Sequence, residues 1–414
     1  MKRLYYQPNH VSAAALTRLA IFAMVVVAVL RWAPSRLPFI ESSLRSRLPV
    51  DDLYDRMMEA SYRTALSFDA IHCHRVKQGH PLLDQHDPAN TGMIGPSMSM
   101  VTTLPGHLEA KQTSVNPNFA AVAMRLMVDA GVRPGDRIAI GCTGSFPALN
   151  IAVIAAAEAL EIDPVIISSA ASSQYGANSP DLMWPDIEKL LFDEELIQSR
   201  SQRISRGGFK DRAAGMTDQT RVMLEDAIDR SGVPLMDSRD DEDAIERRML
   251  LYAAIAEDER YQAYINVGGG DASVGGTKGN QALGAGLIQP TGMLARRMHD
   301  WLSNVQDENA TQNKTEDCVA RRFLASGVPV LNMIRTVDLA KAYGLPIASP
   351  HRIEVGQGAV FALHDMRRYL AVIGIVLITV MTGWVMRPPA IWVRYRQQNR
   401  GTKSDYQSQP QWMV

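Results

Sequence analysis

The chain has 414 residues, with 43 basic and 44 acidic side chains and a formal net charge of −1. This length allows two or three domains, or one large domain with appendages. The even charge balance lacks the net basic footprint typical of nucleic-acid-binding proteins, so no nucleic-acid partner is predicted. The three cysteines are not spaced like the ligands of a metal site. Three cysteines are also too few to hold the fold together by a dense disulfide framework.

Two apolar runs, one near each end, predict membrane helices. Residues 19–30 are uninterrupted apolar for twelve positions, and extended back to Val11 this run can span a bilayer. A signal peptide and a buried soluble helix are the alternatives for this run, although no small-residue cleavage site follows it. Residues 369–386 form an uncharged run of eighteen positions with aromatic residues near its end, which predicts a second transmembrane helix.

Basic residues beside these runs predict their orientation. The second run is followed by five of them: Arg387, Arg394, Arg396, Arg400 and Lys403. Because cytoplasmic flanks are enriched in Lys and Arg, both termini are predicted to be cytoplasmic, with the central part outside the inner membrane. Four arginines directly after the first run favour the opposite orientation: Arg31, Arg36, Arg45 and Arg47.

The two runs divide the chain into five predicted parts. They are a cytoplasmic tail with the first membrane helix (1–34), a juxtamembrane helix and linker (35–93), an extracytoplasmic α/β domain (94–366), the second membrane helix (367–387) and a basic cytoplasmic tail (388–414). Apolar residues at helical spacing over 51–71 predict an amphipathic helix that lifts the globular part off the membrane.

Four histidines and a cysteine follow that helix within fifteen positions: His72, Cys73, His74, His80 and His86. Imidazole and thiolate are good ligands for zinc or copper. The residues lack a compact zinc-binding spacing, and a plain polar linker accounts for them, so no metal site is predicted.

Residues 134–169 contain the pattern around which the fold is predicted. A β-branched apolar run over 137–140 predicts a buried strand that breaks at Gly141. An apolar helix is predicted over 146–160, with Pro147 in its first turn, and a second strand over 165–167. A parallel pair with a crossover helix is the building block of an open α/β sheet, which is the predicted fold class.

The remaining segments extend this pattern. Helices are predicted over 117–130, 181–198, 217–230, 244–256, 321–326 and 336–343, and strands over 233–236, 263–267 and 328–333. Residues 202–214 are predicted to be a loop. The acidic run 237–246 is predicted to stabilise the start of the following helix.

Small polar or glycine residues follow the predicted strands that end at Ile140, Ile167 and Val267. Ligands bind beyond the carboxyl ends of parallel strands, so these segments are predicted to line one crevice that prefers a carboxylate or another anion. The long loop before residue 117 is predicted to fold over it or to cover the sheet edge. The candidate ligand-binding residues are Thr143, Gly144, Ser145, Ser172, Ser173, Gly268, Gly269, Gly270, Asp271, Ser273, His107 and Lys111.

Four well-known catalytic and phosphate-binding motifs are absent from the sequence. G-x-x-x-x-G-K-[ST] does not occur, and G-x-G-x-x-G fails at Ser273, so residues 268–279 are predicted to form a tight turn and no cofactor is predicted. No G-x-S-x-G or H-E-x-x-H motif occurs either. Ser145 is a nucleophile only if His107 reaches it, whereas an N-cap role explains it directly. No catalytic residue is predicted.

Three segments, residues 106–114, 141–150 and 264–270, resemble the poly-γ-glutamate system protein family. They read GHLEAKQTS, GCTGSFPALN and YINVGGG. The resemblance extends over about residues 90–348 and the two predicted anchors. It implies a membrane-anchored protein that acts with the ligase and membrane export subunits of poly-γ-glutamate synthesis. It implies no catalytic residues.

Three functions follow from these observations. The first is an accessory subunit for synthesis or export of an anionic, capsule-like polymer, with a crevice for that polymer or a glutamate-like ligand. The second is an extracytoplasmic hydrolase or transferase that acts on the polymer or the cell envelope. The third is a sensor that binds a small ligand.

Overall fold

A six-stranded sheet organises the protein. The computed structural model describes residues 13–32, 50–79, 85–257, 259–290 and 317–385. The strands of the sheet are β1 (Arg137–Thr143), β2 (Asp163–Ser169), β5 (Ser201–Ser205), β6 (Tyr264–Asn266), β7 (Gly286–Ile288) and β8 (Val330–Asn332), in the order β5-β2-β1-β6-β8-β7. Only β7 runs antiparallel to its neighbour. A separate two-stranded hairpin contains β3 (Asn178–Ser179) and β4 (Leu182–Met183).

Helices connect and cover these strands. Before β6 they are α1 (Ala13–Trp32), α2 (Val50–Lys77), α3 (Leu108–Ser114), α4 (Phe119–Asp129), α5 (Pro147–Ala159), α6 (Trp184–Asp193), α7 (Asp218–Ser231) and α8 (Asp241–Ala256). After β6 they are α9 (Asp271–Val274), α10 (Gly276–Leu283), α11 (Val319–Ala325), α12 (Thr336–Tyr343) and α13 (Leu363–Val385). The predicted α/β class with a mainly parallel sheet is confirmed.

The predicted strand–helix–strand unit is present as β1, α5 and β2. Strands β1 and β2 pair in parallel from Arg137↔Asp163 to Thr143↔Ser169. The predicted break at Gly141 is wrong, because β1 lies between β2 and β6 and its backbone pairs on both sides at that point. Strand β1 therefore carries Thr143, with its side chain, to the end of the sheet.

The two faces of the sheet are covered by different helices. Ile138 and Ile140 of β1 belong to a core with residues of α2, α4 and α5, whereas Ala139 packs with residues of α8 and α11. The helix predicted over 51–71 is α2, and it packs against α4 and α5. Leu53, Met57, Ala60, Phe68 and Ile71 of α2 are buried in the core. Helix α2 is therefore part of a core layer, and its predicted role as a spacer is wrong.

The edges of the sheet differ most from the prediction. The predicted loop 202–214 begins inside edge strand β5, whose only buried apolar side chain is that of Ile204. The predicted strand 233–236 is a single bridge between Leu235 and Ile204. Strand β7 was not predicted, and the predicted turn 268–279 contains helix α9 and the beginning of helix α10. Three-residue and polar edge strands carry little periodicity, so the pattern of apolar residues does not reveal them.

The helix starts are better determined by the sequence. The acidic run predicted to stabilise a helix start does so, since Asp240 caps α8 through the N–H of Asp243 at 2.9 Å. Thr217 caps α7 in the same way, and Gly232 ends that helix in the left-handed conformation. These local signals are readable because the residues that provide them are neighbours in the chain.

By internal contacts the chain divides into two units. The larger, Pro38–His364, contains the sheet, and the smaller comprises Met1–Leu37 with Asp365–Val414. Within the residues that the structure describes, no helix combines the length and apolar character needed to cross a membrane. The predicted basic tail 388–414 lies outside the described residues, as does His80.

Candidate functional site

A cavity of about 540 Å³ lies at the carboxyl ends of the central strands. The carboxyl ends of neighbouring strands lie side by side in the sheet, because Thr143 of β1 pairs with Ser169 of β2 and Asn266 of β6 pairs with Asn332 of β8. The loops that leave these strands therefore meet at one edge of the sheet. We call this space the rim cavity, and its volume is in the range of small-ligand sites.

Eight of the twelve residues predicted to bind a ligand line the rim cavity. They come from all three strand ends and from the segment before α4: Thr143, Ser145, Ser173, Gly269, Gly270, Asp271, His107 and Lys111. His107 and Glu109 lie at its exposed edge, whereas Lys111 is buried. The long loop predicted to fold over the crevice contains helix α3, and it contributes the residues from Thr103 to Lys111 that line the wall.

The other four predicted residues lie behind the wall of the cavity. Gly144 is held against the β2 loop, because a Cβ there would lie 2.7 Å from the carbonyl oxygen of Ala170. Gly268 has a φ of 103°, and a Cβ there would lie 2.9 Å from that of Thr143. Both glycines are required for close packing. The remaining two are buried serines, Ser172 and Ser273.

Lys111 is the most unusual side chain of the site. Its side chain is only 2% exposed, and its Nζ lies 4.1 Å from the centre of the Phe146 ring. The amine donates hydrogen bonds to the carbonyl oxygen of Ser145 and to Ser173 Oγ, the latter at 3.0 Å. Burial lowers the pKa of Lys111 to about 7, since a desolvated ammonium is costly. Near neutral pH the amine is therefore present in both charged and neutral forms.

Ser145 does not cap helix α5, so that prediction is wrong. The residue before the helix is Phe146, which has an extended φ of −134° and makes no side-chain cap. Pro147 occupies the first turn and disfavours a helical conformation for the residue before it. Ser145 Oγ instead accepts the backbone N–H of Ser173 at 3.1 Å. This bond joins the loop after β1 to the loop after β2.

The rim cavity is also lined by an ion pair that was not predicted from the sequence. Arg335 and Asp338 line the cavity, and their side chains are 2.6 Å apart and about half exposed. Arg335 lies just beyond the strand predicted over 328–333, but the prediction selected small polar and glycine residues at three other strand ends, and this charged side chain was not among them. A fourth strand end therefore contributes a cation to the site.

Carboxylates also line the rim cavity, as expected for Asp271. Its Oδ2 accepts the backbone N–H of Lys210 at 3.1 Å. The amine of Lys111 bonds to the carbonyl oxygen of Ser145 and to Ser173 Oγ. Asp338 is bound by Arg335. The lining of the cavity is therefore mixed in charge, with the basic residues Lys111 and Arg335 beside the acidic residues Asp271 and Asp338.

The described histidines of the segment lie in helix α2 and in a turn near residue 86. His72 belongs to α2 and bonds through Nε2 to Asn90 Oδ1 at 3.2 Å, while His86 packs edge-on against the Tyr175 ring. Among the residues described by the structure, no group of three or more His, Cys, Asp or Glu residues is arranged to hold a metal ion.

Comparisons with known proteins add no assignment. No family model matches the chain, and neither curated proteins nor solved structures gave a match.

Proposed function

We propose that this protein is a membrane-anchored accessory subunit of poly-γ-glutamate synthesis or export, and that it binds the anionic polymer in the rim cavity. The observation that carries the proposal is that two basic side chains, Lys111 and Arg335, line one cavity at the carboxyl-end edge of a mainly parallel sheet. Ligands bind at this edge in open α/β folds.

The chemistry of the cavity suits a chain of carboxylates. Each unit of a γ-linked glutamate chain carries one free carboxylate beside an amide. Arg335 has five N–H donors, so it can hold a ligand carboxylate while it contacts Asp338. Amide groups of the ligand find partners in the hydroxyls of Thr143, Ser145 and Ser173, which line the same space. The support from the resemblance is independent of this geometry.

Membrane anchoring is the part of the proposal that rests on the sequence alone. The uncharged run 369–386 is long enough to cross a bilayer, and the run that ends at Leu30 is the second anchor. Reporter fusions at Gln411 and Gly208 test the topology. We expect a cytoplasmic signal at Gln411 and an external signal at Gly208, and a cytoplasmic signal at Gly208 would contradict the orientation.

Binding is tested by titrating the full chain in detergent with γ-linked glutamate oligomers in a calorimeter. Oligomers of the same length whose carboxylates are methyl esters provide the matched control. We expect binding of the free acid only, weakened by added salt because exposed charges such as Arg335 are screened. Equal affinity for acid and ester would contradict an anion site.

The partner assignment is tested by purification from detergent-solubilised membranes. We expect the ligase and membrane export subunits to be recovered with the wild-type protein at stoichiometric yield. Recovery of the protein alone, from cells that make the polymer, would contradict the accessory role and would leave ligand binding to be judged by calorimetry.

A further inference from the structure

Within the rim cavity the side chains of Lys111 and Ser173 are in hydrogen-bond contact. Binding of a ligand alone does not require this contact. Lys111 Nζ lies 3.0 Å from Ser173 Oγ, and both residues line the cavity. Ser173 is partly exposed, so a ligand in the cavity can reach its hydroxyl. Lys111 is shielded from water on its other sides and lies over the Phe146 ring.

The surroundings hold Lys111 in place as a base. One hydrogen of its amine bonds to the carbonyl oxygen of Ser145, which orients the nitrogen toward Ser173. A nucleophile, a base in hydrogen-bond contact and a third group that orients the base together form the arrangement found in serine–lysine acyl transfer. Burial lowers the pKa of Lys111 to about 7, so its neutral form is available near neutral pH.

We propose that Ser173 and Lys111 are a nucleophile and general base that cleave or transfer an amide or ester group of a carboxylate-bearing substrate in the rim cavity. The choice of a carboxylate-bearing substrate rests on the proposed function. The pair itself does not, because it follows from the contact between the two side chains.

The chemical step balances with water as the only co-reactant. Neutral Lys111 takes the proton of Ser173 Oγ while that oxygen bonds to the substrate carbonyl carbon, whose π electrons move to its oxygen. When the carbonyl re-forms, the bond to the leaving nitrogen or oxygen breaks, and the Lys111 ammonium returns the proton to it. Water then attacks the Ser173 ester with Lys111 again as base, and Ser173 recovers its proton. An amine in place of water gives transfer.

Ser145 is placed to assist the same step. Its Oγ accepts the Ser173 N–H, and this leaves the hydroxyl hydrogen of Ser145 to donate into the cavity, which it lines. A donor beside the nucleophile is the type of group that stabilises negative charge on a carbonyl oxygen. The bond also fixes the backbone of Ser173 relative to Lys111.

A fluorophosphonate probe tests the pair on the full chain in detergent. Attack by a nucleophilic serine on phosphorus expels fluoride and leaves a stable adduct, which peptide fragmentation assigns to Ser173 or its neighbour Ser172. We expect labelling of wild type at Ser173, with a rate that rises with pH around pH 7. Ser173→Ala abolishes labelling, and Lys111→Met lowers the rate by about 100-fold or more, the contribution of a general base. Ser326→Ala, an exposed serine on α11's end, labels as wild type.

The outcomes separate this inference from the proposed function. Absence of labelling in folded wild type, or equal labelling of Ser173→Ala, overturns the pair even if γ-glutamate oligomers bind. Labelling at Ser173 without any oligomer binding supports the pair and contradicts the proposed function. A labelling rate of Lys111→Met equal to that of wild type removes the base role.

Discussion

Lys111 Nζ lies 3.0 Å from Ser173 Oγ, although the two residues are 62 positions apart in the chain. The contact joins helix α3 to the loop that follows β2. It places an amine with little exposure to water at the wall of a cavity formed by four strand ends. Both the binding role and the inferred chemistry depend on this amine.

Replacing Lys111 by Met is expected to preserve or raise stability. The folded-state pKa of Lys111 is about 7, below its ordinary 10.5, so between these values the unfolded chain binds more protons and the Lys111 contribution to unfolding free energy rises with pH. Met removes this dependence. We expect a gain at pH 6.5 of between zero and about 4 kcal/mol, as found when buried charges become apolar.

Denaturant titrations at pH 6.5 and 9 measure this effect. Lys189→Met is the control, because Lys189 is a partly exposed lysine paired with Asp193 on α6, and its replacement should change stability by at most about 1 kcal/mol. A loss of stability in Lys111→Met that is larger at pH 6.5 than at pH 9 would contradict this expectation, because it would show that the charged amine stabilises the fold.

Ser145→Ala is expected to loosen the β2 loop and to leave helix α5 unchanged. The substitution removes the acceptor of the Ser173 N–H, at a cost of about 1 kcal/mol. Amide hydrogen exchange distinguishes this from the loss of a cap: exchange at Ser173 should accelerate, and exchange at Ala148 and Leu149 in the first turn should not. Thr217→Ala, which removes a real cap, should accelerate exchange at Thr220.

The location of the rim cavity can be predicted from the sequence, whereas the contact between Lys111 and Ser173 cannot. Thr143, Ser173 and Gly269 each follow an apolar run, so the edge at which they meet can be inferred from the parallel topology alone. Lys111 belongs to a seven-residue helix inside a non-periodic segment, and its contact with Ser173 depends on how that segment folds over the sheet. Arg335 was missed because the candidates at strand ends were restricted to small polar and glycine residues.

Arg335→Met is expected to weaken binding of γ-glutamate oligomers about tenfold. A hydrogen bond to a charged group contributes about 1.5 kcal/mol or more, which corresponds to this factor. Arg221→Met is a matched control, because Arg221 also pairs with an aspartate three positions away, Asp218, but lies on α7 outside the cavity. Calorimetry should show wild-type affinity for the control, and an equal loss in both variants would indicate a non-specific effect of net charge.

Glu188→Gln is expected to remove the pH dependence of stability that the buried carboxyl group of Glu188 causes. Glu188 is fully buried and accepts hydrogen bonds from Ser201 N and Oγ. Burial raises its pKa to about 7 from an ordinary 4.5, so the folded protein holds an extra proton and loses stability as pH rises through this interval. The loss is on the order of 3 kcal/mol.

Thermal or denaturant unfolding at pH 5 and 8 checks this. Glu188→Gln should resemble wild type at pH 5 and exceed its stability at pH 8, while the exposed control Glu194→Gln should follow wild type at both. If Glu188→Gln were less stable than wild type at pH 8, the ionised form of Glu188 would stabilise the fold, and the expectation would be contradicted.

The most direct measurement of the central claim, that the rim cavity holds the ligand, is oligomer binding by Gly270→Val. Gly270 lines the cavity with an ordinary φ of −61°, and the atom nearest to an added Cβ is 3.5 Å away, so valine fits the backbone and its methyl groups occupy the cavity. The control Gln219→Val introduces the same side chain on the exposed face of α7. We predict loss of calorimetric binding in Gly270→Val and full binding in Gln219→Val. Equal binding by both folded variants would contradict the account.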